Sequence, residues 1–477
     1  MAVQTHNQQP QELQQKMRDD EISPAANANE GSGLTNRSEE VHLRVASSQP
    51  ATDKDTTLTD ELNSTAHGWV VIAAASTVLF VGVGYTNTFG VFQDHYQKTV
   101  FRNEPADKII IIGSTAASLY FVLGILTGRF TDFAGYRVSL AIGTALMTGS
   151  MFAASFSKEY WQLFLSQGLM FGLGLSFVYP TATTVSTQYF RTHHHGLTNG
   201  IVVSGGALGG CILPYSTQRM IATCGLDQTF RILGYLAIAL LVPSIVVIKP
   251  KQRRLETRSK HYPLLDFKLL SNGRFLSLAV ACVIAMTGFL PRYFLIPTSA
   301  VAKGIDVGYA SWLLGLMNGF SIIGRIGIGL VADRVGPLKA LSASFVLCAL
   351  GHFIFWLPGV TVTIDGTRAP TALFTLFVVY TGIFGSGFIS LYPVVVAYLF
   401  GREALASKAG SLNTAIGIST LAGPSVVYAI VGVGRRKNWT IGVLTAGLFM
   451  FVGGLLLVMA SSTVKKAKQG QRRDERR

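Results

Sequence analysis

The stretch "GRFTDFAGYR", residues 128–137, returns in altered letters as "GLVADRVGPL", residues 329–338. Each reads Gly, three residues, Asp, two residues, Gly: Gly128, Asp132 and Gly135 in one, Gly329, Asp333 and Gly336 in the other, 201 residues apart. Each copy closes one long apolar run and is followed by another. At such a loop a helix ends and the chain turns sharply back, which calls for glycine. An aspartate there can accept hydrogen bonds from backbone N–H groups at the start of a neighbouring helix, where the dipole is positive. Arg129, Arg137 and Arg334 can pair with acids or with C-terminal carbonyls of a facing bundle. Contacts of this kind exist only while two halves of a molecule are closed at that side. Gly128, Arg129, Asp132, Arg137, Gly329, Asp333 and Arg334 are therefore read as gating residues.

Composition agrees with long apolar runs. The 477 residues are 49% hydrophobic and 14% charged, include 50 glycines, and have a mean hydropathy of +0.40. That is too apolar for an ordinary soluble protein and points to an integral membrane protein. The net charge of +15 lies between and beyond the apolar segments. It peaks in "KPKQRRLETRSKHYPLLDFK" from Lys249 and "KKAKQGQRRDERR" from Lys465, positions that suit cytosolic stop signals and not nucleic-acid binding. Cys211, Cys224, Cys282 and Cys348 have no metal-ligand spacing and read as packing residues. Residues 1–67, polar and without an apolar h-region, read as a disordered cytosolic tail.

From residue 68 the chain divides into about twelve apolar pieces of bilayer-crossing length. The first half holds 68–93, 108–130, 138–157, 160–183, 196–217 and 229–248. The second holds 275–297, 309–331, 338–357, 371–396, 408–432 and 439–461. The connections on the side shared by both ends carry roughly twice the Lys and Arg of the other side, which puts both termini in the cytosol. Two further markers repeat. "GLGLSFVYP" and "GSGFISLYP" place Gly172 and Gly174 before Tyr179, and Gly385 and Gly387 before Tyr392, 213 apart. Gly205-Gly206 and Gly423-Pro424 recur 218 apart. The expected architecture is an all-α membrane protein of twelve transmembrane helices in two six-helix bundles, 68–248 and 275–461. A basic cytosolic linker, 249–274, joins them, and a basic cytosolic tail, 462–477, follows.

The paired loops resemble the signature between helices 2 and 3 of the major facilitator superfamily, with its second copy between helices 8 and 9. Three other stretches resemble the monocarboxylate porter family, especially its fungal branch: "HGWVV" from His67, "YFRTHHHGLTNGIVVSGGALGG" from Tyr189, and "NGFSIIGRIGIGLVADRVG" from Asn318. The resemblance implies a secondary transporter whose two bundles rock about a cavity near the bilayer midplane. Helices 1, 4, 7 and 10 would line that cavity, flanked by 5 and 8.

Arg325 is the leading substrate-binding candidate. It lies eight residues, roughly 12 Å of rise, before Asp333, where a cation costs on the order of 3 kcal/mol unless water or an anion accompanies it. It resembles the helix 8 arginine with which such porters hold a substrate carboxylate. The family's helix 1 lysine and helix 8 aspartate are replaced by Asn87 and Ser321, neither of which titrates near neutral pH. Tyr85, Asn87, Tyr179, Asn318 and Tyr392 are expected to face the cavity, because an amide or phenol facing lipid would lack partners. Arg292, beside Tyr293, reads as an interfacial anchor near the outer end of helix 7. "THHHG", with His193 to His195, is a loop, since three successive residues cannot all point at one metal ion. "SGGALGG" from Ser204 is a membrane-embedded run of small residues that lets helices approach closely.

The expectation is a secondary active transporter of a small organic anion such as a monocarboxylate, working by alternating access as a symporter. The alternative is efflux of a fungal secondary metabolite; a non-transporting receptor, using the tail and linker as interaction sites, is a third reading. No set of groups for catalysis shares a membrane depth, so an enzyme is not expected. No cofactor is implied. The expected partners are an organic anion or metabolite, protons and the lipid bilayer, and the expected location is the plasma membrane.

Overall fold

The computed structural model describes residues 52–102, 104, 106–190, 194–248, 269, 271–362, 368–432 and 438–474. The chain divides into two compact units, Met1–Asn63 and Ser64–Arg477. In the first, the described part, from Thr52, is helical. The second unit carries everything that follows. Most of the basic linker lies outside the described residues, as does His193.

Among the described residues every regular element is a helix. A backbone that crosses hydrocarbon must satisfy its polar groups within itself, and the helix does so. Eleven helices are long and apolar enough to span a bilayer, and the pair Lys108–Val122 and Gly124–Ala134, bent by 53°, makes a twelfth span. In chain order they are α1 (Ala66–Val100), α2 (the bent pair), α3 (Tyr136–Phe156), α4 (Tyr160–Tyr189), α5 (His195–Cys224) and α6 (Leu226–Val247). The second half follows as α7 (Gly273–Ala302), α8 (Val307–Val335), α9 (Pro337–Thr361), α10 (Pro370–Phe400), α11 (Leu405–Val431) and α12 (Trp439–Met459). Several run past their expected ends; α1 continues through a π-helical turn at Tyr96–Val100.

The irregularities have identifiable causes. In α7 the helix stops at Phe289 and restarts at Pro291, whose missing N–H cannot complete the ladder. In α1 the matching interruption falls at Thr88, 202 residues earlier than Leu290. In α2 the bend sits at Leu123, where the Thr414 hydroxyl of α11 donates to the Val122 carbonyl at 2.9 Å and accepts from the Ile125 N–H at 3.0 Å. The side chain replaces the interrupted backbone partner, a recognised origin of kinks.

Within the first half α3 packs on α4 and α6; within the second α9 packs on α12 and α10. Two pairs make the broadest crossings between halves, α5 on α8 and α2 on α11, while α10 meets α4 and α5, and α11 meets α4, more narrowly. These crossings position the candidate site.

Candidate functional site

Each crossing is built from one copy of the repeated loop. In α2, a Cβ on Gly128 would fall 2.8 Å from the carbonyl carbon of Ala406 in α11. In α8, a Cβ on Gly329 would fall 2.6 Å from the carbonyl carbon of Gly196 in α5. The first glycine of each motif is thus where two backbones meet. Four residues on, and so on the same helical face, the aspartate meets the partner helix. The Asp132 carboxylate accepts from the Ser407 N–H at 2.7 Å, at the start of α11. The Asp333 carboxylate accepts from the N–H groups of Gly196 at 2.7 Å and Leu197 at 3.0 Å, at the start of α5. These are orphan donors at a positive helix end, and a carboxylate satisfies both the bonding and the dipole. The last glycine makes the turn: Gly135 has φ 93° and Gly336 has φ 98°, a region that side chains avoid.

The partners on α5 and α11 keep a constant register. Gly196 and Ala406, Leu197 and Ser407, and Gly200 and Gly410 stand in matching places, 210 residues apart. Ser204, whose hydroxyl donates to the Ile322 carbonyl at 3.5 Å, matches Thr414 in the same register. The sequence pairing of Gly205-Gly206 with Gly423-Pro424 at 218 is therefore eight residues out. Those residues pack instead on α1 at Ser76 and on α7 at Thr287 respectively.

The arginines of the loops divide. Arg137 does not reach the facing half, as expected of it; it donates to the carbonyls of Val246 at 2.7 Å and Ile248 at 3.3 Å, capping α6 of its own half. Arg129 lies within electrostatic range of Asp132. Arg334 lines a cavity of about 540 Å³ beside the second crossing, with His194, His195, Asp333, Tyr398 and Arg402. There Arg402 lies 2.7 Å from His195 Nε2. Sequence reasoning singled out neither the cavity nor Arg402.

Deeper along the interface lies Arg325. It is 5% exposed, donates through one terminal nitrogen to the Val203 carbonyl of α5, and leaves its Nε without a partner. The phenols of Tyr120, Tyr179 and Tyr293, from α2, α4 and α7, lie within electrostatic range of its guanidinium. The repeated tyrosines Tyr179 and Tyr392 come together, their rings within 4° of parallel and 6.5 Å between centroids. The Tyr392 hydroxyl bonds the Thr183 hydroxyl of α4 at 3.1 Å and accepts from Asn413 Nδ2 of α11 at 3.2 Å. Asn199 of α5 ties the same layer, donating to the Ser390 carbonyl and accepting from Ser186 at 3.2 Å.

The other candidates sit elsewhere. Tyr85 points into its own half, buried on Phe171 and Phe92, and its hydroxyl accepts from Gln167 Nε2 at 3.2 Å; it is a helix-to-helix contact. Asn87 is exposed and lies against Gly210 of α5. Asn318 is half-buried in α8, its carbonyl accepting from Ser321 at 2.7 Å. Arg292 is no interfacial anchor: it is 1% exposed, stacked 3.8 Å over Phe289 and bonded to Cys348 Sγ at 3.2 Å inside the second half. The interruption at Leu290 turns it inward. Tyr120 escaped the sequence reading, although the rule that drew attention to Tyr179, a phenol at mid-span, applies to it as well, and Tyr293 entered it only as the neighbour of Arg292.

The family model described as Major Facilitator Superfamily matches residues 70–375 and 289–477. The chain belongs to that superfamily. Its relatives there are transporters, not enzymes. The agnestins efflux protein AgnL12 of Paecilomyces divaricatus is 28% identical over 429 residues, covering 88% of this chain and 93% of its own. The aspyridones efflux protein apdF of Emericella nidulans is 27% identical over 393 residues, covering 82% and 77%. Among solved structures, the proton:xylose symporter XylE bound to 6-bromo-6-deoxy-D-glucose superposes with a TM-score of 0.61 at 12% identity, over 84% of this chain and 96% of that one. That likeness supports the fold alone.

Proposed function

We propose that this major facilitator exports an organic metabolite by alternating access, and that the two crossings latch its cytosolic side. The observation that carries the reading is the near full-length similarity to fungal efflux proteins. It favours export over the monocarboxylate symport expected from the resemblance. Asn87 and Ser321, in place of titratable groups, point the same way.

In this reading Gly128, Asp132, Gly329 and Asp333 hold the halves together at the side that carries the excess of Lys and Arg, which is the cytosol. Arg325 binds the acidic group of the substrate. While the latch is closed, one of its nitrogens is held by the Val203 carbonyl. Opening α5 from α8 releases that nitrogen, so capture of cargo from the cytosol and separation of the halves favour one another. Tyr392 and Asn199 form a second layer of closure.

The test is accumulation of labelled organic acids by membrane vesicles of both orientations. Export predicts accumulation in inside-out vesicles and none in right-side-out ones. Lactate uptake by right-side-out vesicles, driven by an inward proton gradient, would restore the symport reading.

A further inference from the structure

We propose that His195 and Arg402 form a proton-sensitive catch beside the second crossing, so that a proton on His195 parts α5 from α8. The proposal rests on the reading of the two crossings as a cytosolic latch and adds the signal that opens one of them.

The contact joins the two halves. His195 is the first residue of α5, and Arg402 lies in the turn between α10 and α11, where Gly401 has φ 78° and Ala404 has φ 47°. Lys408 donates to the Phe400 carbonyl at 2.7 Å and caps α10, while a terminal nitrogen of Arg402 lies 2.7 Å from His195 Nε2. A guanidinium stays protonated and can only donate. His195 Nε2 must therefore present its lone pair, and the imidazole is neutral while the halves are closed. A proton on Nε2 and the Arg402 N–H compete for that lone pair. Once the proton is bound, two cations face each other where a hydrogen bond stood.

The other charges around the cavity of about 540 Å³ decide the sign. His194, at the same helix start, and Arg334, at the end of α8, add positive potential, as does the helix start itself. Asp333 opposes them, but its two oxygens already accept from Gly196 and Leu197. Thr187 of α4 and Tyr398 of α10 add no charge near neutrality. Glu403, next to Arg402 in the turn, is exposed, and Arg191 and His193 lie outside the described residues. The closed site therefore repels a proton, whereas an imidazole freed into water accepts one near pH 6.5. By linkage, the catch supports closure fully above that pH and weakens as pH falls through it. With the proton bound only in the open state, the ratio of open to closed molecules rises about tenfold from pH 7.5 to 5.5. Cytosolic acidity, which grows as an organic acid accumulates, thus opens the side from which Arg325 is loaded.

Double electron–electron resonance between spin labels at the exposed Val138 and Lys339 reads this ratio at pH 7.5 and 5.5. The sample is the full chain in phosphatidylcholine nanodiscs, with the accessible Cys211 and Cys224 replaced by serine. The expected result is the rise of about tenfold. His195→Gln sets an amide oxygen near the place of Nε2, so it should stay closed and lose the pH response. Arg402→Leu removes the competitor; it should be more open at pH 7.5 and nearly flat with pH. His194→Gln should keep the rise. A ratio that does not move with pH, a rise that survives His195→Gln, or one that disappears in His194→Gln would overturn the proposal. Asp333→Asn separates this failure from failure of the latch. If that variant opens the molecule while pH does not, the catch alone is refuted; if neither does, the latch reading falls with it.

Discussion

Asp333→Asn should loosen the crossing of α5 and α8 by a calculable amount. The carboxylate accepts two backbone N–H groups, at 2.7 and 3.0 Å. A hydrogen bond to a charged group contributes about 1.5–3 kcal/mol, and a negative charge at a helix start a further ~0.3–1 kcal/mol. Asparagine keeps one acceptor oxygen, turns an N–H donor toward the second backbone N–H, and removes the charge. Asp333 is exposed, and in the open state its carboxylate is hydrated, so much of the gross loss cancels. A net of about 1–2 kcal/mol remains, which multiplies the ratio of open to closed molecules about 5- to 30-fold. Spin labels at Val138 and Lys339, both exposed and near the starts of α3 and α9, report that ratio by double electron–electron resonance. A longer-distance population should grow by this factor. Asp132→Asn should act in the same direction, and the double variant should combine the two effects nearly additively, since the carboxylates share no partner. An unchanged distance distribution in a folded Asp333→Asn protein would refute the latch.

Three other substitutions test separate parts of the motif. Gly329→Ala puts a methyl 2.6 Å from the Gly196 carbonyl carbon, so the helices must part, and the same labels should report a larger open population. Gly135→Ala forces a side chain to φ 93°; it should cost ~1–2 kcal/mol of stability, read as a lower unfolding temperature, with the open-to-closed ratio unchanged. Arg292→Met removes a buried cation that has no acid partner among the described residues and whose Nε is unbonded. It should raise the unfolding temperature, because an apolar residue of similar volume avoids the desolvation cost; a fall would mean that the Cys348 contact outweighs it.

The fold was legible because hydrocarbon imposes simple demands. Apolar runs of span length and the repeated Gly, Asp and Gly are local features, and each corresponds to a local structure: a helix, a close contact, a cap, a turn. Register between spans was not legible. The pairing of Gly196 with Gly329 rather than with a residue one turn away follows from how whole helices dock, and sequence offsets misplaced α5 against α11 by eight residues. Side-chain direction was equally hidden where spans are interrupted. Arg292 and Tyr293 are neighbours, yet the first is buried in the core of the second half and the second is only half-buried. Pro291 signals the interruption, but not the rotation that results. Tyr85 was misjudged because its partner, Gln167, lies 82 residues away on α4.

The two halves repeat the crossing but differ at one depth, and the difference bears on mechanism. Counting from the loop aspartate, Gly124 of α2 occupies the place that Arg325 holds in α8. At Gly124 the backbones of α2 and α11 meet, with a Cβ there only 3.0 Å from the Gly410 carbonyl oxygen. At Arg325 the backbone also meets a glycine, Gly200, but the side chain turns to the Val203 carbonyl. One crossing is therefore a plain contact, whereas the other contains the cation proposed to bind cargo. An anion that takes the guanidinium competes with Val203 and weakens only the α5–α8 side. Opening should then begin there and strain α2 and α11 afterwards, at the bend already present beside Thr414. A ligand that binds Arg325 should accordingly lengthen distances measured across α5 and α8 before those across α2 and α11. Simultaneous lengthening of both at every ligand concentration would mean that the halves separate as rigid bodies and that Arg325 plays no part in the order.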